Sequence, residues 1–156
     1  MKLNAMFGFI LLLHLLGATV WTGGHLILAT VILPRALRTR DADGIRGFED
    51  SFEKIGIPAL IVQIASGLWL AHRMLPDVSL WFQWHNPIAR LLLLKLSLLG
   101  LTVLFALDAR LRIIPRLGRH NLESLAWHII PVTIISVLFV VVGLSFRTGW
   151  FMQFNP

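Results

Sequence analysis

Four apolar runs set the pattern of the chain: Phe7 to Leu33, Ile55 to Ala71, Ile88 to Leu107 and Leu125 to Phe146. Each has the ~20 residues an α-helix needs to cross a bilayer. The second run is interrupted by Gln63, Ser66 and Gly67. Its Pro58 falls in the first turn, where proline is tolerated. The prediction is an all-α integral membrane protein, a bundle of four transmembrane helices in one domain, residues 1–156. No internal repeat and no low-complexity segment is evident. Between the first two runs, Ile45, Phe48, Phe52 and Ile55 recur at three- and four-residue steps, with Glu49, Asp50, Glu53 and Lys54 opposite. That spacing predicts a short amphipathic helix on the inner membrane surface before the second span. Asn121 suits the N-cap of the fourth span and Glu123 its first turn.

The first run carries the most unusual polar positions. On a helix at 100° per residue with His14 at 0°, Trp21 falls at about −20°, His25 at about 20°, Ala18 at about 40° and Gly17 at about −60°. The two histidines and the tryptophan share a narrow face flanked by small residues, and about 16.5 Å of rise separates the histidines. Such a face on an apolar helix has to look into protein or a cofactor.

Composition supports the membrane class. Apolar residues make up 56% and charged residues 14% of the chain, against about 25% charged in soluble domains. Without cysteine, disulfides, thiolate metal sites and cysteine nucleophiles are excluded. The net charge of +6 is not a nucleic-acid signal, because the basic residues cluster in two loops. Arg35, Arg38, Arg40, Arg46 and Lys54 follow the first run, and Arg110, Arg112, Arg116 and Arg119 follow the third. The opposite side has Lys2, Arg73, Arg90 and Arg147. The asymmetry puts both basic loops in the cytoplasm and both termini outside. Lys2 and the apolar stretch after it imitate a signal peptide, but the run is too long and contains a histidine, so a retained first helix is expected. In the outer loop, Trp81 and Trp84 mark the interface.

At ~1.5 Å per residue the polar positions sort into two levels. His14, His72 and Lys95 lie toward the outside, His25 and His128 toward the inside. Neutral imidazole is a common ligand of haem iron and of copper. Paired as His14/His72 and His25/His128, the histidines would hold one or two b-type haems. Trp21 would pack between them, and Gly17, Ala18, Gly23, Gly24 and Ala65 would leave room for the macrocycle. Arg73 and Arg90 would meet propionates at the outer level and Arg110 or Arg119 at the inner. Lys95 is a costly residue in mid-span, ~2.5–3.5 kcal/mol on insertion scales. With no acidic residue in a span core, it implies an anion, a haem propionate or a proton relay, or else a watery crevice.

The stretch His14…Trp21-Thr-Gly-Gly-His25, the following Leu33-Pro34-Arg35, and Lys95 after an arginine in the third span resemble the CopD (copper resistance D) family of bacterial inner-membrane proteins. The closing Ser145-Phe146-Arg147-Thr148-Gly149 is compatible with it. In outline the chain is also similar to the HemJ group, membrane protoporphyrinogen oxidases that bind b-type haem, with His14, Trp21, Leu33-Pro34-Arg35 and Lys95 at matching positions. It departs from that group at Gly23-Gly24-His25 and at His128-Ile129-Ile130-Pro131. These resemblances imply a multi-pass protein of the bacterial inner membrane and two functions. In the first, haem b serves electron transfer, with Lys95 as the catalytic group and a quinone, porphyrinogen or redox protein as partner. In the second, the protein handles copper for uptake or resistance, with His72, His85, Met74 and Met6 capturing the metal outside and the interior histidines passing it. A third reading is an accessory subunit of a membrane complex. A homo-oligomer is compatible with each.

Overall fold

The computed structural model describes residues 2–118 and 120–150. Four helical stretches are long and apolar enough to cross a membrane: Asn4–Thr39, Ala42–Met74, Pro87–Arg116 and Leu122–Thr148. The chain is an all-α membrane protein, and its surroundings are lipid. The end bearing the two basic loops is called the inner end. Helices α1 (Lys2–Ile27) and α2 (Leu33–Thr39) run inward as one rod, α3 (Ala42–Met74) returns, α4 (Pro87–Asp108) runs inward and α5 (Leu122–Thr148) returns.

The helix ends follow local chemistry. Asp41 caps α3 by accepting from the Gly44 N–H at 2.9 Å. Asn86 caps α4 by accepting from Ile88 and Ala89, with Pro87 in the first turn. Gly149 closes α5 in the left-handed region at φ 66°, which costs a residue without Cβ nothing. Asn121 stands at the N-cap of α5 but does not cap it. Its side chain turns back to the preceding loop, accepting from the Gly118 N–H at 2.7 Å and donating to the Arg116 carbonyl at 2.8 Å. In the outer loop Trp81 is half-buried and its indole donates to the Leu75 carbonyl, whereas Trp84 is exposed. Asp77 accepts from Ser79 at 2.8 Å, and that hydrogen bonding holds its carboxyl below the usual range.

Two π-helical turns interrupt the inward rods, Leu28–Ile32 and Ala109–Ile113. Each is followed by a proline, Pro34 and Pro115. Proline has no N–H to donate and its ring collides with the carbonyl four residues back. Widening the preceding turn relieves that collision, and the turn closes with bonds five residues apart, Leu33 N–H to Leu28 O and Ile114 N–H to Ala109 O.

The helices pack in the order α3, α1, α5, α4. Of the most apolar stretch of α5, 39% is buried, against 11% for α1 and for α3, so α5 is the enclosed helix and the others face lipid more broadly. At the inner end Leu28, Leu33, Ala36, Ile45, Leu122 and Leu125 form one cluster. A second cluster seams α4 to α5 through Leu91, Leu98, Ile135 and Val142. The stretch from Asp43 to Ile55 is helical, but it is the first part of α3 and not a separate surface helix. Ile45 is fully buried and Phe48 packs against the inner cluster, while Ile55 is exposed. Its apolar face is thus turned onto α1 and the loops.

Candidate functional site

Three imidazoles line the membrane-spanning region, two on α1 and one on α5, and each is fixed through Nδ1. His14 Nδ1 donates to the Gln63 carbonyl of α3 at 2.9 Å and lies 3.1 Å from Ser66 Oγ. His25 Nδ1 donates to the Trp21 carbonyl at 2.9 Å, and His128 Nδ1 to the Ser124 carbonyl at 2.9 Å. A carbonyl only accepts, so the proton sits on Nδ1 and the lone pair on Nε2. At His14 and His25 that Nε2 has no protein partner among the described residues. At His128 it meets Asp108 Oδ2 at 2.8 Å, with a proton held between α5 and α4.

The surroundings of each imidazole differ. His25 lies in an aromatic box: its ring centroid is 4.4 Å from that of Trp21 and 5.6 Å from that of Phe52, edge-on to the latter. Around it α1 is tied to α5: Thr133 Oγ1 shares its hydrogen between the Ile129 carbonyl at 2.7 Å and the His25 carbonyl at 3.2 Å, and Thr22 Oγ1 donates to the Ser136 carbonyl at 3.3 Å. His14 sits on Gly67, where an added Cβ would lie 2.9 Å from the ring. Lys95 reaches from α4 to α5, over the Phe146 ring at 5.4 Å and against Gly143.

No hydrogen bond or ring contact joins the depth-matched histidines among the described residues. His14 and His25 turn toward α3, whereas His128 turns toward Asp108 at the end of α4. His72 is exposed on the last turn of α3. Arg73 lies over Trp69 at 5.8 Å from the ring and Arg90 is half-buried. Arg110 is paired with Glu53 of α3, and Arg119 lies outside the described residues. Of the glycines that would leave room for a macrocycle, Gly17 and Gly24 are taken up by helix contact, whereas Gly23 has open space beside it. A Cβ at Gly17 would stand 2.8 Å from the Ala59 carbonyl oxygen, and one at Gly24 would run into the Phe52 ring. An open pocket of about 370 Å³ lies between Thr39–Asp43 and Leu117–Gly118, at the inner loops and away from the histidine face. Nothing in this arrangement supports a haem at the face built by His14, Trp21 and His25.

Met6, Met74, His72 and His85 are all exposed at the outer side, and Met1 and Met152 lie outside the described residues. Among the described residues no group of three or more histidine, aspartate or glutamate side chains converges as a metal site. Sequence reasoning missed the polar ties of the inner end. Asp108 is shared by His128 and Arg112, the latter at 3.1 Å, and Arg46 donates to the Leu117 carbonyl. The signal was the 20-residue separation of Asp108 and His128 across a short loop. Replacing Asp108 with alanine leaves His128 without its partner, and the expected loss is about 1–3 kcal/mol of stability. Thermal melting of the detergent-solubilised variant measures it.

Fold and geometry together define a multi-pass membrane protein with imidazoles in its membrane-spanning helices, two of them with an unpartnered Nε2 among the described residues. A family model described as copper resistance protein D matches residues 46–146, and the chain belongs to that CopD family. The matched segment spans most of α3 and all of α4, so membership does not depend on the histidine stretch of α1. No curated protein and no solved structure matches the chain significantly.

Proposed function

We propose that the protein handles copper in the bacterial inner membrane, with Cu(I) as its cargo and not as a resident cofactor. The observation that carries this reading is the pair of pre-oriented imidazoles on α1. Both Nε2 atoms are left for a ligand while both Nδ1 atoms are held by backbone carbonyls. A backbone bond of this kind fixes the tautomer and aims the ring before the metal arrives. Family membership supplies the metal. Imidazole binds copper well, and the absence of thiolate keeps the sites weak enough to release it.

His25 is the stronger of the two interior sites. The His14 ring rests on Gly67 and bonds to Gln63, whereas Trp21 and Phe52 flank the His25 ring, and aromatic rings favour a cation beside them. At the outer side Met6, Met74, His72 and His85 offer soft and borderline donors for capture.

Proteoliposomes containing the full chain, supplied with Cu(I) under anaerobic conditions, test this reading. The expected result is saturable entry of copper above that of protein-free vesicles. Equal entry in both sinks the proposal.

A further inference from the structure

The basic residues of the inner end divide into two kinds. Arg40 pairs with Glu123, Arg46 with Asp43, Arg110 with Glu53 and Arg112 with Asp108. The side chains of Arg35, Arg38, Lys54 and Arg116 have no ion pair, hydrogen bond or ring contact among the described residues. Lys54 has Asp50 one turn earlier on its own helix, which offsets its charge. Arg116 is a single charge past the second π-turn, since Arg112 is held by Asp108. Arg35 and Arg38 differ from both. They are three residues apart on α2, which carries no acidic residue, and like charges at that spacing repel.

The direction of this pair follows from packing. Leu33 and Ala36 of α2 are buried in the inner cluster. At 100° per residue, Arg35 falls about 200° and Arg38 about 140° round the helix from Leu33. Both therefore leave the rod on the side away from the cluster, Arg38 exposed and Arg35 half-buried. Outward along the rod the surface turns apolar. Ile27, Val31 and Arg35 follow at four-residue steps, which stacks side chains on one face, and Ile27 is 52% and Val31 61% exposed. An exposed apolar strip thus ends in two uncompensated guanidinium groups where the rod leaves the membrane. Arginine stems lie along apolar surface with the charge in the headgroup layer, and guanidinium matches the oxygens of a phosphate two at a time.

We propose that the face of α2 bearing Arg35 and Arg38 binds one anionic phospholipid of the leaflet at the inner end, its phosphate between the two guanidinium groups and an acyl chain along Val31 and Ile27. Anionic lipid is the partner that basic side chains meet at this level of a membrane. An acidic protein surface would match the arginines alone, whereas a phospholipid matches the arginines and the apolar strip together. The proposal is independent of copper, because neither the geometry nor the test involves the metal.

The test is native mass spectrometry of the detergent-purified full chain, given equal amounts of phosphatidylglycerol and phosphatidylcholine with the same acyl chains. The expected result is retention of phosphatidylglycerol over phosphatidylcholine. That preference falls about fivefold in Arg35→Gln and again in Arg38→Gln, the worth of one basic residue near an anionic lipid, and is unchanged in Arg116→Gln. No preference in the unsubstituted chain overturns the proposal, as does a preference that survives Arg35→Gln and Arg38→Gln. An equal fall in Arg116→Gln also overturns it, because net charge and not a site would then attract the lipid. A second arm adds inorganic phosphate. Loss of the bound lipid at millimolar phosphate would assign the arginines to a free anion and overturn the lipid reading. Both arginines face away from the core, and melting curves of the glutamine variants establish that they are folded. No copper enters the experiment, so failure here leaves the transport reading standing.

Discussion

Replacing His25 with alanine lowers copper entry into proteoliposomes about 10- to 100-fold, the range associated with losing a well-oriented partner at a metal site. Replacing His14 with alanine has a smaller effect in the same assay. The ranking follows from what surrounds each ring. The His25 imidazole sits between Trp21 and Phe52 with its Nε2 free. The His14 ring rests on Gly67 and bonds to Gln63 of α3, without the flanking rings that favour a cation, so copper occupies that level less. The controls follow from the same geometry. His25→Ala removes a ring and leaves the backbone carbonyl that accepts from Thr133, so the tie between α1 and α5 persists and the variant folds. A larger loss in His14→Ala than in His25→Ala would contradict the assignment of roles.

The second large effect is structural. Gly17→Leu prevents α1 from seating on α3. The first added carbon would stand 2.8 Å from the Ala59 carbonyl oxygen and 3.0 Å from the Cβ of Gln63. One of these is backbone and cannot swing away, so the helices must part. Overpacking of this kind costs about 1–3 kcal/mol, and more where backbone has to shift. The separation also draws Gln63 and Ser66 away from His14, since both bond to it from α3. The variant is expected to melt at a lower temperature and to lose copper entry. Gly23→Leu, at a position with open space beside it, is the matched control and is expected to behave as the unsubstituted protein. Equal melting temperatures for the two variants would show that α1 and α3 do not pack as described.

Much of the fold was legible in the sequence because apolar runs and loop charges are read without knowing which helix touches which. The four spans follow from run length, and all four are present. The pairing of histidines across helices was not legible. Depth matching places residues along the membrane normal but says nothing about rotation. The rotations turn His14 and His25 toward α3 and His128 toward α4. What Gly17 and Gly24 pack against was not legible for a related reason. A small residue makes space in a sequence, but only the fold shows what fills it, and in this fold Ala59, Gln63 and Phe52 do. The amphipathic stretch from Asp43 to Ile55 was correctly periodic, yet Gly56 and Pro58 do not end it. Proline in the interior of α3 is absorbed, and the helix runs straight from the loop into the membrane.

The two π-turns were not legible, because Ile32-Leu33-Pro34-Arg35 and Ile113-Ile114-Pro115-Arg116 are short and set in leucine-rich surroundings. In the structure each turn stands at the same distance from its proline. Family membership confirms the copper-resistance resemblance first carried by the α1 residues, through a segment that begins at residue 46.

The measurement that tests the central claim most directly is an absorption spectrum of the purified chain, oxidised and then dithionite-reduced, with metal analysis before and after incubation with Cu(I). The prediction is a visible spectrum without Soret or α bands, no stoichiometric iron, and copper retained after incubation in amounts reduced by His25→Ala. Sharp reduced Soret and α bands with about one or two irons per chain, the stoichiometry of bis-imidazole haem sites, would contradict it and make haem the group that these histidines serve.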